Sequence, residues 1–371
     1  MISSAEVING HSTAESRWAR IGPYYAMFPL DFAFDVVEKY SRKGDYILDP
    51  FAGRFSSIFA GSVIGRKGLG IEINPVGWLY GRVKINPASK KLLLNRLEEI
   101  YKKRNYYERT IFNVHKFFRM CFCDEVLKFL LSARKNLSWK NNIVDATLMA
   151  IILIHLHGKI GEGLSNQMKM TKSMAISYSM KWWKLHDLEK PPEINPLEFL
   201  RNKIEWRYAK GTPDTEYETR ILFGDSTKML PGLAKRNKEK YSLLFTSPPY
   251  YSLTDYHIDQ WLRLWMLGGN GNSNSLREKY KNRFNNKTDY YNLLDLVFSN
   301  SSKMMKKKSI IYVRTDVRQF TYDTTLTILS KYFPNHQREI RKAPVNVKTQ
   351  TEVLGNRSSK KGEVDIILTK R

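Results

Sequence analysis

The sequence predicts an α/β fold: a mostly parallel sheet flanked by helices and interrupted by a mainly helical insert. Three observations carry this. Over residues 30–85, segments of helical period alternate with short apolar runs of strand length. The same alternation resumes near residue 219 and continues through the rest of the chain. Between them, residues 88–218 are rich in Lys, Leu, Asn, Tyr and Trp and carry few strand signals. The expected organisation is therefore a first half (1–87), an insert (88–218) and a second half (219–371), with the strands of both halves completing one sheet.

The elements follow in order. LDFAFDVVEKYS has helical period, DYILDPF is a short strand ending at Asp49-Pro50, SSIFAGSVIG is a helix and GLGIEINP a second strand. In the insert, KKLLLNRLEEIYKKR, FCDEVLKFLLSARKNL and NIVDATLMAIILIHLH read as helices, and no repeat is evident. TRILFGDSTKML is a strand, a turn and a helix start. YSLLFTSPPY is the next strand, and HIDQWLRLWMLGG an amphipathic helix. The polar stretch 268–289 reads as a loop. YYNLLDLVFSNSSKMM is a helix whose exposed end runs into KMMKKKS (303–309); SIIYVRTD, TTLTILSKYF and VDIILTK close the pattern as strand, helix and strand.

The composition narrows the function. A chain of 371 residues that is 42% hydrophobic can bury a substantial core. Lys+Arg number 61 against 36 Asp+Glu, a formal charge of +25, and an excess of that size points to a polyanionic partner, of which nucleic acid is the commonest. Two cysteines, Cys121 and Cys123, are too few for a disulfide framework, and with only His115 nearby they do not make a zinc site. The polar N-terminal stretch has no apolar signal core, and the longest apolar run, 146–158, is too short for a bilayer and carries two histidines. A soluble cytoplasmic protein is expected.

Two constellations carry chemistry. A strand ending in Asp-Pro-Phe-x-Gly ahead of a helix places residues where open α/β sheets bind ligands, beyond the carboxyl ends of their strands. Gly53 lets the backbone pass close to a ligand, and Glu72, at the end of the next strand and about 20 residues on, suits ribose hydroxyls. With no P-loop lysine and no full G-x-G-x-x-G, the pattern favours a nucleoside without a pyrophosphate, and S-adenosyl-L-methionine fits. The second constellation is TSPPYY (246–251), where a buried strand runs into two prolines and two tyrosines.

Together, DPFAGRFS, GIEINP and TSPPY resemble the motifs of the DNA amino-methyltransferases, the N4-cytosine and N6-adenine family. Their first motif usually reads DPF-x-G-S-G-T-T, so Arg54 and Phe55 stand where Ser and Gly are usual. The lead-in SRWARIGPYYAMFP is similar to the segment preceding that motif. GDST (224–227) resembles the acidic turn that contacts the cofactor adenine, with Asp225 as the matching residue. The resemblance covers residues 17–87 and 219–371. It implies a Rossmann-like methyltransferase sheet, S-adenosyl-L-methionine as cofactor and double-stranded DNA as substrate. It also implies a cofactor site built from Asp49, Pro50, Phe51, Ala52, Gly53, Glu72, Asn74, Asp225, Ser226 and Thr246. A cognate restriction endonuclease is a partner implied by the resemblance alone.

TSPPY suits such a reaction. The lone pair of an exocyclic amine is delocalised into its ring, and acceptors aimed at the N–H bonds favour the tetrahedral geometry that methylation needs. Ser247 and the Pro248 carbonyl are candidate acceptors. Pro248 and Pro249 fix φ and donate no N–H, which leaves the local carbonyls rigid and free. Tyr250 is a candidate wall for a base flipped out of the duplex. In the resembled family S-P-P-Y mostly accompanies cytosine N4, so that target is favoured over adenine N6. The chain has no Pro-Cys pair, which argues against C5-cytosine chemistry. An RNA amino-methyltransferase, and a DNA-binding protein whose Arg54-Phe55 loop holds no cofactor, are the alternatives. Further residues read two ways. Asp255, Tyr256 and His257 line the base pocket or cap a helix. Residues 164–174, LSNQMKMTKSM, read DNA or form a solvated loop. Trp261 and Trp265, four apart, read as core, and the loop 268–289 as a phosphate contact. The insert is assigned to target recognition.

Overall fold

The computed structural model describes residues 4–8, 10–22, 28–216, 218–252, 259–271, 286–342 and 362–370. Among these residues the chain forms one seven-stranded sheet in the order β3-β2-β1-β4-β5-β7-β6. The strands are β1 (Tyr46–Asp49), β2 (Lys67–Glu72), β3 (Arg220–Phe223), β4 (Tyr241–Thr246), β5 (Met305–Asp316), β6 (Gln337–Lys342) and β7 (Glu363–Thr369). All neighbours from β3 to β5 pair in parallel, and only β7 is reversed, between β5 and β6. The α/β class, Rossmann-like and flanked by helices, is as the sequence predicts. β1 lies between β2 and β4, so the order reverses there, which is the topological switch point where such sheets bind ligands.

Successive strand residues face opposite layers. Ile47, Leu243 and Phe245 enter one core, with α3 (Leu30–Tyr40), α4 (Ser56–Val63) and α5 (Pro75–Ile85). Leu48, Leu244 and Ile311 enter the other, with α12 (Ser226–Arg236), α14 (Lys287–Met304) and α15 (Gln319–Tyr332). Two short helices, α1 (Ser4–Ile8) and α2 (Ala14–Ala19), precede these layers, and Thr13 and Ser16 form a capping box on α2.

The described residues between β2 and β3 contain no strand of the sheet; after α5 they are mainly helical, with α6 (Lys90–Lys102), α7 (Lys116–Cys121), α8 (Asp124–Asn136), α9 (Ile143–His155), α10 (Ile176–Leu185) and α11 (Pro196–Tyr208). The apolar run is α9, buried from Asp145 to Ile154 and packed between α5 and α6. No helix among the described residues is long and apolar enough to cross a membrane.

Three expectations are corrected. The helix after the TSPPY corner, α13 (Trp261–Met266), is six residues long and buried all round rather than amphipathic. Its one cation, Arg263, is buried because it donates to the carbonyls of Leu153 (3.0 Å) and Met170 (2.6 Å) and to Gln260 Oε1 (2.7 Å). KMMKKKS is a helix end only at its first two residues: α14 stops at Met304, Met305 pairs with Tyr241 of β4, and Lys306 to Lys308 are exposed in the irregular start of β5, before the ladder resumes at Leu243 and Ile310. LSNQMKMTKSM is not simply a solvated loop, although Lys169 to Lys172 are exposed. Leu164, Ser165, Asn166, Met168 and Ser173 are buried, and the Asn166 amide donates to the carbonyls of Met120 (3.0 Å) and Leu188 (2.6 Å).

Candidate active site

The carboxyl ends of β1, β2 and β4 converge at the switch point. Asp49 closes β1 and Thr246 closes β4, and the Thr246 hydroxyl donates to Asp49 Oδ1 at 2.7 Å. The Phe51 N–H donates to the same oxygen at 3.1 Å, and the Ser57 hydroxyl donates to Oδ2. Burial pushes the Asp49 carboxyl up to about 6, against the downward pull of these donors.

The loop after Asp49 wraps back to β2. Gly53 takes φ +54, a left-handed conformation that costs glycine little, and its N–H donates to Glu72 Oε2 at 2.8 Å. Asn74 N donates to Glu72 Oε1 at 2.7 Å. The Ile73 N–H reaches the same carboxyl. Burial pushes this carboxyl up to about 8. Beside it, Asn74 caps α5 by accepting from Val76 N at 2.9 Å, while its buried Nδ2 has no partner among the described residues. The Glu72 carboxyl and this orphaned amide donor, side by side, suit the hydroxyls of a vicinal diol such as a ribose. Gly77 keeps the approach close, since a Cβ there would stand 2.5 Å from the Gly53 carbonyl oxygen.

Pro50 and Ala52 are buried, and Phe51 is half-buried against the second core. Ser226 donates to the Pro50 carbonyl, tying α12 to the loop. Asp225 is the N-cap of α12; its Oδ1 accepts from Thr227 N at 3.0 Å and Thr227 Oγ1 at 2.8 Å. The expected cofactor residues therefore gather around one loop, with Asp225 also serving the helix start.

Arg54 and Phe55, the departures from Ser-Gly, each have a place. Phe55 adopts φ 63°, ψ 37°, the conformation a glycine takes readily, and its fully buried ring lies between the bare Cα atoms of Gly70 and Gly81. The Arg54 guanidinium is buried and donates to the Gly22 carbonyl at 3.1 Å and to Ser56 Oγ at 3.3 Å. The Arg54 carbonyl accepts from the fully buried Lys84 Nζ at 2.9 Å. Burial, with Arg54 and Arg207 nearby, drives the Lys84 amine well below its ordinary value.

At the corner, Ser247 and Pro249 are half-buried, and Pro248 is buried. Tyr250 is only 5% exposed, and its hydroxyl donates to Glu363 Oε1 at 2.9 Å. Asp255, Tyr256 and His257 lie outside the described residues, as does most of the polar loop, 272–285. Trp261 and Trp265 are core. Cys121 and Cys123 are buried and free, and burial raises both thiols.

Sequence reading missed Glu363, Asp365, Arg314, Lys84 and Ser57. The signal for the first two is GEVDIILT, two acids two apart in an otherwise apolar strand, hence on one face.

A family model described as DNA methylase matches residues 5–76, a span that includes the DPFAG loop, Glu72 and Asn74. No curated protein matches the chain. Two solved structures of the rRNA methyltransferase aviRa from Streptomyces viridochromogenes align over 100% of this chain and 93% of theirs, at 10% identity and TM-scores of 0.35 and 0.34. A likeness that loose carries no argument about activity. The DNA methylase match supports an amino-methyltransferase.

Proposed function

We propose that the protein transfers a methyl group from S-adenosyl-L-methionine to the exocyclic amine of a base flipped out of double-stranded DNA, with cytosine N4 the favoured target. The observation that carries this reading is the 2.7 Å bond from Thr246 to Asp49, which joins the Ser-Pro-Pro corner to the glycine loop at the switch point of the sheet. The family match over residues 5–76 and the charge of +25 support it.

On this reading Glu72 and Asn74 receive the ribose hydroxyls. The loop from Asp49 to Gly53 lines the cofactor, with Asp225 and Ser226 on its far side. The bound cofactor supplies a methyl group on a positively charged sulfur. Ser247 Oγ and the Pro248 carbonyl accept from the amine N–H bonds, and they favour the transition state because they are already in place when the amine pyramidalises. The helical insert reads the target.

The test is incubation with labelled cofactor and unmodified genomic DNA, digestion to nucleosides and mass spectrometry. N4-methylcytosine is expected. N6-methyladenine keeps the mechanism and overturns the base; methylation of RNA alone overturns the substrate. Ser247→Ala should lower turnover by about 10²-fold, the scale of removing one preorganised polar group, while cofactor binding by calorimetry survives.

A further inference from the structure

The corner does not end at Tyr250. Ser247 Oγ lies 3.4 Å from the Tyr250 hydroxyl and donates toward it, and Tyr250 donates to Glu363 at 2.9 Å. Glu363 opens β7 and is 3% exposed. Its other oxygen lies 3.8 Å from Arg314 on β5. Arg314 is held by two bonds to Asp365, of 2.7 and 2.8 Å, and Tyr312 donates to Asp365 as well, at 2.8 Å. Three hydroxyl and carboxyl groups thus run in line from the half-buried corner to an acid inside the sheet.

We propose that Glu363 is the proton acceptor of methyl transfer, reached from Ser247 through Tyr250. The inference rests on the placement of Ser247 at the target amine. An exocyclic amine that gains a methyl must shed a proton. As the nitrogen lone pair forms the N–C bond and the C–S electron pair stays on sulfur, an N–H proton passes to Ser247 Oγ. The serine proton passes to Tyr250 and the tyrosine proton to Glu363. The base ends neutral, Ser247 and Tyr250 are restored, and the carboxylate becomes a carboxylic acid. The Ser247–Tyr250 separation is long for a hydroxyl pair, and such contacts tighten when substrate binds.

The direction of transfer follows from the surroundings. Tyr250, Arg314, Asp365 and Asp316 face the carboxylate. Burial and the two aspartates raise its proton affinity, while Arg314 and Tyr250 lower it. Asp316 pairs with Arg318 and Asp365 with Arg314, which leaves Glu363 the acid in contact with Tyr250. Because Glu363 acts through Tyr250, it is a positioning and relay residue rather than a group touching the base.

The test compares Glu363→Gln, Glu363→Asp and Tyr250→Phe with the unaltered protein. The measurements are kcat, KM for DNA, the affinity for S-adenosylhomocysteine, and the pH dependence of kcat. A glutamine accepts the tyrosine hydrogen bond but not its proton. Glu363→Gln should lose about 10²-fold in kcat, the scale of general base catalysis, with KM and product affinity within about twofold. It should also lose the acidic limb of the pH–rate profile, which Glu363→Asp keeps. If Glu363→Gln does not fold, Tyr250→Phe decides, since it cuts the relay and leaves the acid in place. Unchanged kcat, or a lowered kcat that keeps its acidic limb, overturns the inference. Ser247→Ala separates the two readings: if it is impaired while Glu363→Gln and Tyr250→Phe are not, only the relay fails. No methyl transfer to DNA by the unaltered protein removes both.

Discussion

Replacing Gly81 with alanine tests how the unusual DPFAGRFS loop is held. In the middle of a helix the change ordinarily stabilises by about 1 kcal/mol. Here the new Cβ would stand 2.1 Å from Phe55 Cδ2 and 2.6 Å from its Cγ. The ring cannot withdraw, because at its opposite edge a Cβ at Gly70 would meet Cε1 at 2.5 Å, so the β2 backbone is already in contact. Overpacking of this kind costs about 3 kcal/mol, so Gly81→Ala should be destabilised by a net of about 2 kcal/mol. Phe55→Gly loses a buried ring worth about 4 kcal/mol and relieves about 1.5 kcal/mol of left-handed strain, a net loss of about 2.5. In the double variant the clash is gone, the helix gain returns, and the loss should be only about 1.5 kcal/mol. The cycle therefore predicts a coupling of about 3 kcal/mol between residues 26 positions apart. Urea unfolding of the four proteins measures it. A Gly81→Ala protein as stable as the parent, or a coupling below about 0.5 kcal/mol, refutes the idea that the ring fills the space of two glycines.

Other predictions concern charge. Glu72 is raised by burial to about 8 from an ordinary 4.5, so the stability it contributes is fully present below the ordinary value and is lost as pH rises through about 8. The stability of the parent relative to Glu72→Gln should therefore fall across that window; a difference that is flat with pH contradicts the assignment. Arg314→Met leaves Asp365 and Glu363 as buried acids without their cation, and denaturant unfolding should register a loss of about 3–5 kcal/mol. A loss below about 1 kcal/mol would mean that water or relaxation compensates.

Much of the sheet was legible because its parallel strands are buried on both faces and so read as short apolar runs, as in YILD and YSLLFT. β6 was not, since QREIRK sits at an edge and its charges face solvent, which is how an edge strand avoids pairing with another chain. The lysines of β5 misled because a charge run says nothing of backbone conformation: they lie in the irregularity between the Tyr241–Met305 and Leu243–Ile310 pairs. Around the site, Asp49, Gly53 and Glu72 were legible through local spacing. Glu363 was not, because its meaning depends on Tyr250 and Arg314, 113 and 49 positions away. The departure at Arg54-Phe55 was visible in the sequence; its accommodation by Gly70 and Gly81 was not, because glycines in a strand and a helix carry no mark of what fills the space beside them.

The bonds around α13 bear on how such a chain can be inherited. Arg263 donates to carbonyls of Leu153 and Met170, Trp261 to that of Met174, and in return Arg134 donates to those of Trp265 and Gly269. Moving residues 88–218 alone to another scaffold would orphan acceptors on one side and strand a buried guanidinium on the other. The insert and the short helix beyond the corner make one heritable unit, so an exchange of the insert by recombination has to carry both pieces.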